Sequence, residues 1–270
     1  MWTEDVFGVS KPIIALLHIR ALPGDPKFDY KTGMKDVVAI AKKELHDLQQ
    51  GGVDGIMFAN EFSLPYQRPV AYAAPASMGR VIGELYHEIE IPFGVNVISN
   101  PMAAIDLAAA TDARFIRSTF TGAYVGESGI TDTDVAAYLR RRKELQLDDV
   151  KLLYKVNPES DVYINERNIC KITKSILFHC DPDGLCVSGN SAGVETNTDE
   201  IITVKSVAGD VPVFCSTGCT AQNVIEKLES SDGAFVGTSF KVAGEFNNFV
   251  DAERVREFMD VVRKYRKEYY

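Results

Sequence analysis

Apolar residues along this 270-residue chain come in short runs that alternate with stretches of helical period. Pro opens one kind of run, at Pro12-Ile-Ile-Ala-Leu-Leu17, Pro92-Phe-Gly-Val-Asn-Val97 and Pro212-Val-Phe-Cys215. Asp opens the other kind, at Asp54-Gly-Ile-Met-Phe58, Asp112-Ala-Arg-Phe-Ile116, Asp149-Val-Lys-Leu-Leu-Tyr154, Asp183-Gly-Leu-Cys-Val187 and Asp232-Gly-Ala-Phe-Val236. Runs this short, closed by turn residues, read as buried strands. Between and after them the 3.6-residue period predicts helices over 34–50, 76–89, 102–110, 132–145, 165–178, 199–208, 221–228 and 251–267. Gly51-Gly52 stops the first of these, and Asn100-Pro101 starts the third with a capping side chain and a proline at the first helical position. Strands alternating with helices throughout predict an α/β protein, a (β/α)8 barrel formed by residues 1–270 as a single domain.

Loop lengths give the barrel a polarity. Connections from a helix into the next strand are short, as at 51–54 and 230–232, whereas those leaving a strand are long: 20–33, 61–75, 118–131, 157–163 and 188–198. Long polar loops on the strand-exit side mark the face on which such barrels carry chemistry. Decorative insertion is the alternative.

Composition narrows the partners. A hydrophobic content of 46% supplies a core, and a formal charge of −9 argues against a nucleic-acid or anionic-membrane surface. No run is long enough to span a membrane, and the first residues lack the basic and apolar regions of a signal peptide, so a cytoplasmic protein without membrane insertion is expected. The five cysteines suit reduced thiols, and no Cys-x-x-Cys or His-x-x-x-His spacing suggests zinc. The sequence leaves a homo-oligomer open.

Candidate chemistry gathers at the strand ends. Thr217 and Gly218 follow the seventh strand, and Gly237, Thr238 and Ser239 the eighth. Glycine amides, hydroxyls and a helix start after the seventh strand are the parts of a phosphate site, with simple turns as the alternative. His18 ends the first strand with Arg20 two residues on, so both are expected to face the mouth, Arg20 as a cation and His18 as acid, base or metal ligand, with a structural histidine as the alternative. Asn60 and Glu61 end the second strand and Asn96 lies in the third. Glu61 is the acidic candidate, as acid/base or as ligand of a divalent metal, with a surface carboxylate as its alternative. Arg117 closes the fourth strand. Lys155, late in the fifth, is expected to face the barrel interior, because an ammonium under the helical shell would be costly; it serves as an anion contact or, less readily, a Schiff-base amine. Ser188 and Gly189 begin Ser188-Gly-Asn-Ser-Ala-Gly193, which has neither P-loop nor dinucleotide spacing and is expected to line the site. The ensemble fits a small anionic phosphorylated substrate, with His18, Glu61 and Lys155 as catalytic candidates and Arg20, Asn60, Asn96, Arg117, Ser188 and Gly189 as substrate contacts.

Several motifs carry a resemblance. Leu17-His-Ile-Arg-Ala-Leu-Pro-Gly-Asp25, Gly52-Val-Asp-Gly with Asn60-Glu-Phe-Ser-Leu-Pro-Tyr66, Phe93-Gly-Val-Asn-Val97, Phe120-Thr-Gly122, Val187-Ser-Gly189, Thr217-Gly-Cys219 and Val236-Gly-Thr-Ser-Phe-Lys241 resemble the BtpA family, and within it the SgcQ-like branch. The resemblance implies a barrel related to the phosphate-binding barrels. It implies no single reaction: family labels run from photosystem I biogenesis to phosphoribosylanthranilate isomerase-like, and the branch is associated with carbohydrate-uptake gene neighbourhoods. The chain departs from the family pattern at Ala59, where Glu is expected, and at Glu159-Ser160, where a Lys-His pair is expected. The expectation is an isomerase, epimerase or lyase acting on a phosphorylated carbohydrate. A non-catalytic assembly factor, an isomerase of the labelled kind and a metal-dependent hydrolase are its rivals.

Overall fold

The computed structural model describes residues 1–191 and 193–269. Eight parallel strands close on themselves: β1 (Ile13–His18), β2 (Gly55–Ala59), β3 (Phe93–Asn96), β4 (Phe115–Ser118), β7 (Lys151–Lys155), β9 (Gly184–Val187), β10 (Val213–Cys215) and β11 (Gly233–Val236). β11 pairs back onto β1 through Ile13↔Ala234 and Ala15↔Val236, which completes the cylinder. The expected (β/α)8 barrel is therefore the fold.

Closure sorts each strand by parity. Ile14, Met57, Phe115, Leu153, Cys186, Phe214 and Phe235 point inward and pack on one another, while Ala15, Phe58, Val95, Ile116, Tyr154 and Val213 point outward into the layer under the helices. The outer layer is α2 (Gly33–Gly51), α3 (Ala73–Leu85), α4 (Pro101–Thr111), α5 (Val135–Glu144), α6 (Ile169–Cys180), α7 (Thr198–Ala208), α8 (Val224–Ser230) and α9 (Ala252–Tyr269). Asn100 caps α4 by accepting a hydrogen bond from the Ala103 amide at 2.9 Å.

Two elements were not expected. α1 (Trp2–Phe7) plugs the closed end of the barrel, with Phe7 against Phe115 at 5.7 Å between ring centres and the Trp2 indole N–H donating to the Asp183 carbonyl at 2.7 Å. The second is a small antiparallel sheet on the open face. β5 (Ala123–Gly126) and β6 (Gly129–Asp132) form a hairpin in the fourth exit loop, and β8 (Val162–Tyr163) joins it from the fifth. Its strands have two to four residues, too few to show a period, and Val125, Ile130 and Val162 stand exposed on it. The helix expected over 132–145 accordingly starts only at Val135, and that over 165–178 at Ile169.

The recurrent Asp before a strand has a mechanical role. Asp54 accepts from the Ile13 amide at 2.7 Å and pairs with Arg266 of α9 at 2.6 Å; Asp183 accepts from the Leu152 amide at 3.0 Å and pairs with Arg142 at 3.1 Å; Asp232 accepts from the Val213 amide at 2.8 Å and pairs with Lys205. Each carboxylate joins the start of a neighbouring strand to a cation on an outer helix. Asp54→Ala strands both the amide and the guanidinium, so it is expected to lower unfolding stability by about 2–4 kcal/mol in urea titrations.

Candidate active site

The strand parity continues one step beyond the apolar layer. The next inward positions are His18, Asn96, Arg117, Lys155, Ser188 and Ser216, with Glu61 two residues beyond inward Ala59. Lys155 thus faces the interior, as expected. Two cavities open on this face.

The smaller, about 180 Å³, lies at the exits of β10 and β11 and is lined by residues 216–220 and 237–239 with His18, Arg117 and Arg254. Gly218 has φ +67°, and a Cβ on it would lie 2.3 Å from the Glu195 amide nitrogen, so only glycine lets the sixth and seventh loops meet. At Gly237 a Cβ would lie 2.9 Å from His18 Nε2; the missing side chain is what lets the imidazole pack there. Among the described residues the Gly218 and Cys219 amides have no acceptor. Thr217, expected as a hydroxyl donor, is turned inward: its Oγ1 accepts from the Gly189 amide at 2.6 Å and lies 3.2 Å from Thr196 Oγ1. The helix expected to start at 221 starts at Val224, after a turn closed by Asn223 Oδ1 on the Thr220 amide, so its dipole does not abut the loop. Cations take that place. Arg117 is buried, donates to the Ser216 carbonyl at 3.2 Å and hydroxyl at 3.0 Å, and lies 4.7 Å over Phe235. Arg254, in the first turn of α9, donates through Nε to the Ser239 carbonyl at 3.2 Å. Nothing in the local sequence singled Arg254 out; only the fold brings it to the loops.

His18 is 4% exposed, and neither ring nitrogen has a partner among the described residues. Leaving a buried polar group bare costs about 1–3 kcal/mol, which a ligand or an ordered water at either nitrogen would recover. Burial, then the charges of Lys241, Arg117 and Arg20, hold its pKa well below 6.5. His18 is therefore neutral at pH 7 and does not add to a cationic mouth.

The larger cavity, about 630 Å³, extends from the shared wall of Glu61 and Glu159 over Asn96, Ser118 and Lys155 to the small sheet. The Tyr66 hydroxyl donates to Glu61 Oε2 at 3.1 Å. Burial, then repulsion from Glu159, raises the Glu61 pKa against the pull of Arg117 and Lys155. Burial also pushes Glu159 up, but Lys155 at 2.7 Å, Arg117 and the Ser188 hydroxyl at 3.4 Å together outweigh it, and its pKa ends below the usual carboxylate value. The surroundings thus push the pKa values of the two carboxyl groups in opposite directions. Glu159 was visible in the sequence only as a departure from the family pattern.

Other candidates serve the scaffold. Arg20 lines neither cavity; it lies between Phe62 at 4.2 Å and Phe249 at 4.6 Å, pairs with Glu44 at 3.6 Å and donates to the Asn247 carbonyl at 3.1 Å. Asn60 is spent on the Ile98 amide at 2.8 Å. The Ser188 backbone exchanges two bonds with the Asn157 side chain, and the Gly189 amide donates to Thr217; neither residue lines the cavities, and Ser188 reaches them only through its hydroxyl on Glu159. Of their loop, Ala192 lies outside the described residues. Lys241, not singled out beforehand, is fully buried: its Nζ donates to the Phe246 carbonyl at 2.7 Å and lies 4.9 Å over Phe62, and burial lowers its pKa to about 8 against the pull of Glu44. For a divalent metal the donor set does not fit, since among the described residues no three His, Cys, Asp or Glu side chains converge as ligands.

Residues 9–264 match the profile of the BtpA family. The chain belongs to the BtpA family. It is 46% identical over 266 residues to the putative sgc region protein SgcQ of Escherichia coli K12, spanning 98% of this chain and 99% of that one. With the photosystem I biogenesis protein BtpA of Synechocystis it shares 27% identity, over 95% and 89% of the two chains. Among solved structures an archaeal fructose-1,6-bisphosphate aldolase superposes with a TM-score of 0.57 over 96% of this chain and 97% of that one; at 14% identity the likeness speaks for the fold alone. No helix among the described residues is long and apolar enough to cross a membrane.

The His18 environment predicts a pH effect. Above pH 6.5 the folded and unfolded chains both carry a neutral ring; below it the unfolded chain takes up a proton that the folded one refuses. Stability should fall with pH from 6.5 downward by at most about 1.4 kcal/mol per pH unit from this group. Urea melts between pH 5 and 8 should show that component in the wild type and its loss in His18→Gln.

Proposed function

We propose that this protein is a cytoplasmic enzyme that moves a proton on a phosphorylated sugar or related small phosphate ester, in an isomerase, epimerase or lyase reaction. The observation that carries the reading is the cavity at the exits of β10 and β11. The Gly218 and Cys219 amides and the His18 ring, all without a hydrogen-bond partner among the described residues, face one small space with the Thr238 and Ser239 loop and two arginines. Such a set complements a phosphate dianion. Arg117 and Arg254 supply charge, Gly218, Gly237, Thr238 and Ser239 the loop backbone and hydroxyls, and Thr217 holds the loop from behind.

The chemistry follows from what adjoins the phosphate end. Glu159, whose charged form Lys155 and Arg117 favour, takes the proton; Glu61, whose pKa is raised by burial, then by Glu159, returns one; His18 bonds the reacting oxygen as a neutral imidazole. Lys155 is committed to Glu159, which argues for proton transfer over a Schiff base. Sugar-phosphate chemistry agrees with the aldolase-like fold, and the phosphoribosylanthranilate isomerase label is one member of the same reaction class.

One observation favours a second reading, a non-catalytic assembly factor like the photosystem I biogenesis relative: the apolar face of Val125, Ile130 and Val162 is exposed. The open, polar mouth argues for the enzyme.

A thermal-shift titration tests the first reading. Inorganic phosphate and sugar phosphates are expected to raise the melting temperature, and Arg254→Ala to weaken the effect at least tenfold in concentration. No shift with any phosphate compound would sink it. With a turned-over substrate in hand, Glu159→Gln and Glu61→Gln should each lower kcat by about 10²–10⁴-fold, the usual range for a lost acid or base.

A further inference from the structure

Glu61 and Glu159 line both cavities, so a ligand anchored by phosphate at the β10 and β11 exits passes the two carboxyl groups before reaching the larger chamber. We infer that the larger chamber is the subsite for an uncharged, hydroxyl-bearing arm of a monophosphate, a sugar or polyol, and that it excludes a second phosphate. The inference rests on the phosphate reading above and narrows it to one class of ligand.

Charge is the first ground. The chamber wall holds the carboxyl groups of Glu61, Asp132, Glu159 and Asp161 against two cations: Lys155 pairs with Glu159 at 2.7 Å and Arg68 Nη2 with Asp161 at 3.2 Å, while Arg68 Nε and Nη1 have no partner among the described residues. A phosphate dianion there would face twice as many carboxyl groups as cations. The smaller cavity sets Arg117 and Arg254 against Glu61 and Glu159 and adds free amides. The excess of carboxyl groups over cations is confined to the larger chamber.

Unpartnered polar atoms are the second ground. Asn96 is 4% exposed and lines the chamber, yet its Oδ1 accepts nothing among the described residues. Across the chamber, on β6, Thr131 Oγ1 is equally bare. An amide oxygen asks for a donor, and a threonine hydroxyl can serve as either partner. A hydroxyl group answers both, whereas a phosphate dianion has no proton to give Asn96. Pro65, Tyr66, Met102 and Tyr138 add apolar surface of the kind that packs against the C–H faces of a sugar.

Isothermal titration with inorganic phosphate, ribose 5-phosphate, glucose 6-phosphate, ribulose 1,5-bisphosphate and fructose 1,6-bisphosphate tests this. At least one monophosphate is expected to bind tenfold or more tighter than inorganic phosphate and than the bisphosphate of the same carbon number. Asn96→Leu should shrink its advantage over inorganic phosphate to under threefold without lowering the melting temperature, because it replaces a bare acceptor with an apolar group of similar size. Should that variant fail to fold, Thr131→Val on the half-buried hairpin reads the same advantage and should cut it at least threefold. Tightest binding by a bisphosphate, monophosphates no better than inorganic phosphate, or an advantage intact in the folded variants would overturn the inference and leave the phosphate reading standing. Failure of every compound, inorganic phosphate included, would instead remove the phosphate reading on which it rests.

Discussion

Side-chain alternation inside a closed cylinder is the constraint from which the rest of this structure follows. A strand in a closed barrel has an inside and an outside, and each step of two residues moves one level toward the mouth. Ile14, Phe115, Leu153, Cys186 and Phe214 fill the first level with apolar volume. Two to four residues on, the same parity delivers His18, Arg117, Lys155, Ser188 and Ser216. The packing that stabilises the barrel and the placement of its polar groups are one geometric fact. A change of register in any strand would send its apolar residue to the wrong face and its polar residue under the helices.

The electrostatics of the mouth are built by dividing labour among charges. Arg20, Glu44 and Lys241 sit with Phe62, Phe246 and Phe249 in a compact layer that fastens the last exit segment over the first strand. Burial of His18, then the charges of Lys241, Arg117 and Arg20, favour its neutral form. Lys155 and Arg117 favour the charged form of Glu159 against the cost of its burial, while burial, then Glu159, raises the pKa of Glu61. Of three titratable groups in one site, His18 and Glu159 are thereby made to hold a proton less tightly and Glu61 more tightly.

The barrel was legible because its signals are local and repeated. The Asp and Pro strand openers, the helical period and the asymmetry of loop lengths each occur often enough to support one another, and Lys155 could be turned inward on the cost of burying its charge alone. The site was legible only in part. His18, Glu61, Asn96, Arg117 and the 237–239 loop come together because each ends a strand, and strand ends can be found in a sequence. Arg254 and Glu159 cannot be found that way: one comes from a helix, the other from a loop, and only closure brings them to the same cavities. Arg20 and Asn60 misled for the converse reason, since a polar residue at a strand end is also what a barrel needs to satisfy loop amides and fasten crossing segments. The hairpin of β5 and β6 is too short for its two-residue period to stand out from an irregular loop.

The opposite end of the cylinder is stoppered by α1, whose Trp2 ring lies 6.2 Å from Phe214 and is fastened to Asp183. The chain has a single tryptophan. Its intrinsic emission therefore comes from the floor, with the apolar layer standing between that indole and the mouth. Fluorescence should brighten, dim or shift when the floor comes apart and stay nearly silent when a ligand settles at the mouth, so the molecule carries a built-in reporter of unfolding that is blind to occupancy.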